Sequence, residues 1–319
     1  MLYNAINKKM KQITNHIMMI EPVSFNFNEE TSVDNHYQNS SISISQNEIQ
    51  EKALNEFQNF VEVLENKGVN VIVFKDTMIP FTPDSIFPNN WVSFHENGSI
   101  FLYPMLAKNR RKERRDDIIS FISSKFQVSE VHSLVDYENQ NLFLEGTGSL
   151  ILDRKNRICY AARSKRTDEK ILLEFCDRQG FTPFLFSAYQ NVDSQRLPIY
   201  HTNVLMCIAN NYAIICLDSI DNKQERENII KQLNSTNKEI IEIFEEQVNS
   251  FAGNMLQVMG DKEYLVMSSS ALNSLNKKQK KSILFYNEII DVDLSIIESC
   301  GGGSARCMMG EIFLNLKND

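Results

Sequence analysis

Short apolar runs recur along the chain, separated by stretches with helical periodicity. Val69-Asn70-Val71-Ile72-Val73-Phe74, Ser99–Tyr103, Ser149–Leu152, Tyr212–Cys216 and Glu263–Met267 are rich in β-branched and aromatic residues and predict strands. Between them, residues 47–67, 112–125, 167–179 and 221–234 read as amphipathic helices. In the first of these, Ile49, Ala53, Phe57, Phe60 and Val63 return every three or four positions to one face, and Gly68 ends the pattern. Strand and helix alternate over the whole length, which predicts an α/β class. Self-similarity at a fixed period is not visible, and no Pro/Gly/Ser-rich linker divides the chain, so residues 19–319 are expected to form one domain. Residues 1–18 read as an N-terminal extension that contains His16, ahead of a first core strand near Met19–Phe25.

Composition narrows the class. With 319 residues, 42% of them hydrophobic, the chain has ample material for a core, and disorder or a fibrous structure is excluded. The net charge of −8 argues against a general nucleic-acid or anionic-membrane surface. No apolar run approaches the roughly 18 residues that span a bilayer, and no signal-peptide pattern opens the sequence, so the cytoplasm is the expected compartment. Six cysteines without a CxxC pair read as free thiols rather than disulfides or a zinc site, and no nucleotide motif is present, so no metal or cofactor is expected.

Four segments carry candidate chemistry. In Cys300-Gly301-Gly302-Gly303-Ser304-Ala305-Arg306-Cys307 three glycines imply a loop with unusual dihedrals or a close approach to a ligand, and a thiol follows beside Arg306, a cation that would favour thiolate. The bland alternative is a tight turn before a buried structural cysteine. His201, just ahead of an apolar run, sits at a strand edge from which it can reach a cleft; a hydrogen-bonded structural histidine is the alternative. Glu145 closes the apolar run Leu142-Phe143-Leu144 ahead of two spaced glycines, where a carboxylate could orient a histidine or simply face solvent. Thr82–Trp91 combines ordinary turn chemistry with a carboxylate, Asp84, and two carboxamides, Asn89 and Asn90.

Taken in order, Asp84, Asn90, Glu145, His201 and Cys307 resemble the guanidino-group-modifying superfamily of arginine deiminases, dimethylarginine dimethylaminohydrolases, agmatine deiminases and amidinotransferases. The branch most similar is that of arginine-deiminase-related, citrulline-utilising proteins. PDSIFPNNW, RRKE, LEGTGSL, SKRTD, YHTNV and CGGGSARCM match the family's segments in the family's order, from about Met19 to Leu316. The resemblance implies a five-bladed pseudo-symmetric α/β propeller, the pentein fold, of ββαβ units, with residues 19–319 as its single catalytic domain. It assigns Cys307 as the nucleophile, His201 as the proton-transfer group and Glu145 as the group that orients His201. It further places Asp84, Asn90, Arg110, Arg166, Asn203 and Arg306 around the substrate, with Arg110 and Arg166 holding an α-carboxylate. For Arg110 a solvated basic helix start is the alternative. The expected partner is a small amino acid of the citrulline or arginine type, and a homodimer is allowed.

The chain departs from the family at three acidic positions. Asn90 and Asn203 stand where arginine-binding relatives commonly carry carboxylates, and Glu-Gly-Thr-Gly replaces Glu-Gly-Gly-Asp. A guanidinium offers only donors and a permanent charge, whereas a ureido group offers both donors and an acceptor without charge. Burying a cation without its counter-charge costs several kcal/mol. Citrulline hydrolysis to ornithine, ammonia and carbon dioxide is therefore the expected activity. The alternatives are arginine deiminase or another guanidine hydrolase, amidinotransferase, and a non-catalytic amino-acid-binding protein.

Overall fold

A computed structural model describes residues 10–39 and 44–317 of the chain. Its strands form small sheets, five of which have three strands in the same connectivity. In each, an antiparallel strand pair, a hairpin in four of them, is followed by a helix that returns the chain to a third strand parallel to the second. The strands Val92–Phe94, Ser99–Leu102 and Glu130–Ser133 make one such sheet, with helix Asp116–Lys125 as the crossover. Ile151–Asp153, Ile158–Ala162 and Thr182–Phe186 repeat it around helix Glu169–Gln179, and Met206–Ile208, Tyr212–Ile215 and Glu239–Glu242 around helix Lys223–Ser235. Leu256–Met259, Glu263–Ser268 and Glu288–Val292 form the fourth, crossed by helices Ser269–Ser274 and Lys277–Tyr286. The fifth joins the two ends of the chain: Gly310–Glu311 pairs antiparallel with His16–Glu21, which pairs parallel with Asn70–Lys75 after helix Gln46–Asn66. Each sheet stays open, and none closes on itself among the described residues.

Local chemistry accounts for the element ends. Ser45 and Glu48 form a capping box on helix Gln46–Asn66, and the helix stops where Gly68 takes a left-handed φ of 77°. Its buried face is Ile49, Ala53, Phe57, Phe60 and Leu64. The predicted helices at 112–125 and 167–179 start later, at Asp116 and Glu169, because Arg110–Glu113 forms a separate 3-10 turn and Asp168 is an N-cap. Helices Lys277–Tyr286 and Ser295–Gly301 were not predicted. The first core strand begins at His16 rather than Met19, and Gln12, Ile13 and Thr14 are buried ahead of it, so His16 lies in the fold and not in an extension. Among the described residues no helix is long and apolar enough to cross a membrane.

Candidate active site

The turns that lead into the hairpins carry the candidate residues. Asn90 ends the 3-10 turn Pro88–Asn90 before the strand Val92–Phe94. Glu145, which closes an apolar run in the sequence, opens a short helical turn, Gly146–Ser149, before the strand Ile151–Asp153. His201 opens the 3-10 turn Thr202–Val204 before Met206–Ile208, and Cys307 lies three residues before Gly310–Glu311. Two of these turns are tied together by Thr202, whose hydroxyl donates to the Ser149 carbonyl at 2.6 Å and accepts from the Ala162 N–H at 2.8 Å. The glycine run ends helix Ser295–Gly301: Gly302 takes a left-handed φ of 62°, and side chains at Gly301 and Gly303 would strike the Phe87 ring.

Cys307, His201, Asp84, Asn90, Arg110 and Arg166 line one cavity, together with Tyr200, Thr31, Asn35 and the three glycines. The cavity is tight, about 10 Å³, the room of a single water. Its chemistry is directional. His201 Nε2 and Glu145 Oε2 are 2.8 Å apart, so with the neutral ring donating from Nε2 the Nδ1 is left as the acceptor. Burial lowers the imidazole from its ordinary 6.5, with Glu145 opposing. Glu145 is itself fully buried, which would raise its carboxyl. Arg166, His201 and Arg110 outweigh that and hold it below the usual carboxylate range. The Leu106 N–H fills the other Glu145 oxygen at 3.0 Å. Glu145 thus stands behind His201 as an ionised partner.

The sulfur of Cys307 has two donors. Asn203 Nδ2 and Asn254 Nδ2 each lie 3.2 Å from Sγ. Arg306 is not part of this surround. Its guanidinium donates to the Met309 carbonyl at 3.0 Å and to Glu311 at 2.7 Å, so the cation expected beside the thiol is turned away into a separate ion pair.

Arg110 is neither solvated nor free. It is buried, forked onto Glu113 at 2.8 and 2.9 Å, and donates to Asn90 Oδ1 at 2.7 Å. That bond fixes the Asn90 amide, whose Nδ2 has no partner among the described residues. Asp84 Oδ1 and Asn203 Oδ1 are likewise buried and unpartnered. The other Asp84 oxygen accepts from Asn28 and Thr31 at 2.7 and 3.0 Å, and burial pushes the carboxyl up against the pull of Arg110. Arg166 donates to Glu145 at 3.4 Å and forks onto Asp34, with Tyr200 stacked 4.9 Å from the guanidinium carbon.

The departure Glu-Gly-Thr-Gly has a steric reason. A Cβ on Gly148 would lie 2.8 Å from His201 Nδ1 and closer still to Asn90 Nδ2, so an aspartate there has no room beside this histidine.

Sequence reasoning missed Asn254 and the segment from Asn28 to Gln38 that roofs the cavity. This segment reaches Asp84 through Asn28 and Thr31, Arg166 through Asp34, and the carbonyls of Gly301 and Gly302 through Asn35 and Gln38. Nothing local in its sequence tells which residues it meets.

Comparison with known proteins places the chain. Residues 21–314 match the family described as N,N dimethylarginine dimethylhydrolase, eukaryotic. No curated protein matches. Among solved structures, the apo form of ArgZ, an arginine dihydrolase from the ornithine-ammonia cycle in cyanobacteria, is 18% identical with a TM-score of 0.72, over 93% of this chain and 40% of that one. Unliganded AgrE is 19% identical with a TM-score of 0.72, over 95% of this chain and 40% of that one. A cysteine-to-serine mutant of the Pseudomonas aeruginosa DDAH in complex with citrulline is 17% identical with a TM-score of 0.63, over 95% of this chain and all of that one. The fold is shared with all three, and the chain spans about two fifths of the length of ArgZ and AgrE.

Proposed function

The chain belongs to the family of N,N dimethylarginine dimethylhydrolases of eukaryotic type, hydrolases that act on C–N bonds of guanidino compounds, and on that premise we propose that its substrate is an ω-ureido amino acid, citrulline, converted to ornithine, ammonia and carbon dioxide. We read the five three-stranded sheets as the blades of a propeller whose entry turns meet at the site. The observation that carries the substrate reading is the Asn90 amide. Its Oδ1 is committed to Arg110, which leaves its N–H donor without a partner among the described residues in a side chain that lines the cavity of Cys307. A ureido oxygen accepts from that donor, whereas a guanidinium has no acceptor to offer. The unpartnered oxygens of Asp84 and Asn203 supply acceptors for the ureido N–H groups in this reading.

The reaction proceeds by attack of the Cys307 sulfur on the ureido carbon. Neutral His201 takes the thiol proton as the sulfur attacks, the bond from that carbon to the ornithine Nδ breaks, the departing nitrogen takes that proton from His201, and an S-carbamoyl cysteine remains. His201, neutral again, takes a proton from water. The hydroxide adds to the carbamoyl carbon, the C–S bond breaks to release carbamic acid, which decomposes to ammonia and carbon dioxide, and the departing Cys307 sulfur takes the proton back from His201, which is neutral again. Glu145 holds the imidazole through Nε2 and stabilises its charged form. Arg166 exchanges Asp34 for the α-carboxylate, and the Asn28–Gln38 cover moves to admit the substrate, because the closed cavity is too small for it. Arg110, spent on Glu113 and Asn90, positions Asn90 rather than binding the carboxylate.

The free Asp84 Oδ1 favours a second reading, a guanidinium substrate such as arginine or a methylated arginine. Assays of the purified protein with citrulline, arginine and methylated arginines, following ammonia and the amino-acid product, separate the two. Citrulline turnover to ornithine is expected, and turnover of arginine with none of citrulline overturns the ureido assignment.

A further inference from the structure

We propose that Asn254 is a catalytic residue, whose carboxamide donates to the sulfur of Cys307 and, with Asn203, holds that sulfur as the thiolate. The inference rests on reading Cys307 as the nucleophile. Asn254 is fully buried, and its orientation is set by its surroundings: Oδ1 accepts from the Arg306 N–H at 3.1 Å, which turns Nδ2 toward the Asn203 carbonyl at 3.1 Å and Sγ at 3.2 Å. A buried N–H that points at a thiol has found a weak acceptor, whereas a thiolate is a full one, so the arrangement selects the charged sulfur. Asn203, also fully buried, approaches from a second direction at 3.2 Å.

The fold supplies this cradle. Asn254 lies two residues before the strand Leu256–Met259, Asn203 three before Met206–Ile208, and Cys307 three before Gly310–Glu311. Three separate sheets thus bring corresponding entry turns to one sulfur. The charged and titratable groups that share the cavity with it are Asp84, Arg110, Arg166, Tyr200 and His201, with Glu145 behind the imidazole. None of these groups is displaced by changing Asn254, which contacts Asn203, Arg306 and Cys307.

The test is alkylation of Cys307 by iodoacetamide in the full chain, followed by peptide mass spectrometry across pH, for the wild type and for N254D and N254A. Asn254→Ala removes the donor to sulfur without adding charge, so a raised midpoint in it supports the proposal; Asn254→Asp keeps the acceptor for the Arg306 N–H but loses both donors and adds a carboxylate beside the sulfur, so it serves as the second variant, in which an unmoved midpoint overturns the proposal. The midpoint of the rate–pH curve is expected to rise by about one unit or more, roughly a ten-fold slower reaction at neutral pH relative to the alkaline plateau. The plateau corrects for access, and circular dichroism confirms folding. A purely structural asparagine would lower the melting temperature and leave the midpoint in place. An unmoved midpoint in a folded variant overturns the proposal. Labelling needs no substrate, so a moved midpoint in a protein that turns over neither citrulline nor arginine would sink the substrate reading and leave this one standing.

Discussion

At the scale of single residues the site is a set of groups whose protonation is decided by what each one touches. His201 illustrates the balance: burial disfavours the imidazolium, Glu145 at 2.8 Å favours it, and burial wins, so the folded value lies below 6.5. A reaction whose free enzyme needs a neutral imidazole then keeps its rate above that value and loses it only as the pH falls below it. The acid limb of kcat/KM for the turned-over amino acid is expected under pH 6.5, and an imidazole NMR titration of the resting protein should give the same midpoint without turnover. Glu145→Gln removes the favourable charge and should move that midpoint further to the acid side while turnover drops. A shift to the alkaline side would contradict the assignment of Glu145 as the partner of His201.

At the scale of elements, the cover formed by residues 28–38 is where the proposed function puts control of access. Asp34 is its charged anchor, paired with an arginine that also faces Glu145. Charge-assisted hydrogen bonds of this kind contribute about 1.5–3 kcal/mol each. Asp34→Asn is expected to open the cover more often, so amide exchange across residues 29–38 and alkylation of Cys307 at the alkaline plateau should both speed up about ten-fold. Unchanged rates would mean that the remaining contacts, from Asn28, Thr31, Asn35 and Gln38, hold the cover alone. This element also shows where sequence reading stops. The strand and helix runs at 47–67 and 212–216, the glycines before Cys307 and the segments around Glu145 and His201 carry local signals in periodicity, turn chemistry or motif. Asp34 meets Arg166 across 132 positions and Asn254 meets Cys307 across 53, and such pairings follow from the closure of the chain, not from any local pattern. Arg306 failed for the converse reason. Its adjacency to Cys307 suggested a shared environment, yet the two side chains point to different partners.

At the scale of the molecule, the two chain ends complete one sheet, and the C-terminal strand carries a charge that several units share. Glu311, paired opposite Ile17, accepts from Arg306 at 2.7 Å and lies 3.9 Å from Arg154, which comes from the hairpin between Ile151–Asp153 and Ile158–Ala162. Arg154 is almost fully buried. Burial pulls its guanidinium below the ordinary value, Glu311 opposes that and the neighbouring Arg306 adds to it, while the Phe313 ring 3.8 Å away gives a face for the cation. One carboxylate therefore compensates two buried arginines. Glu311→Gln removes the carboxylate to which both are paired among the described residues, and removing one partner of a buried ion pair costs roughly 3–5 kcal/mol. Because Glu311 links the closing strand to a distant hairpin, the loss is expected to destabilise the whole domain rather than one sheet, lowering the urea midpoint in a single cooperative transition. Exchanging all three for apolar groups, as in Glu311→Leu with Arg306→Met and Arg154→Leu, removes the buried charge altogether and should recover most of the stability. A Glu311→Gln protein within about 1 kcal/mol of the wild type would show that the two arginines find other acceptors and that the closing strand is held by its packing alone.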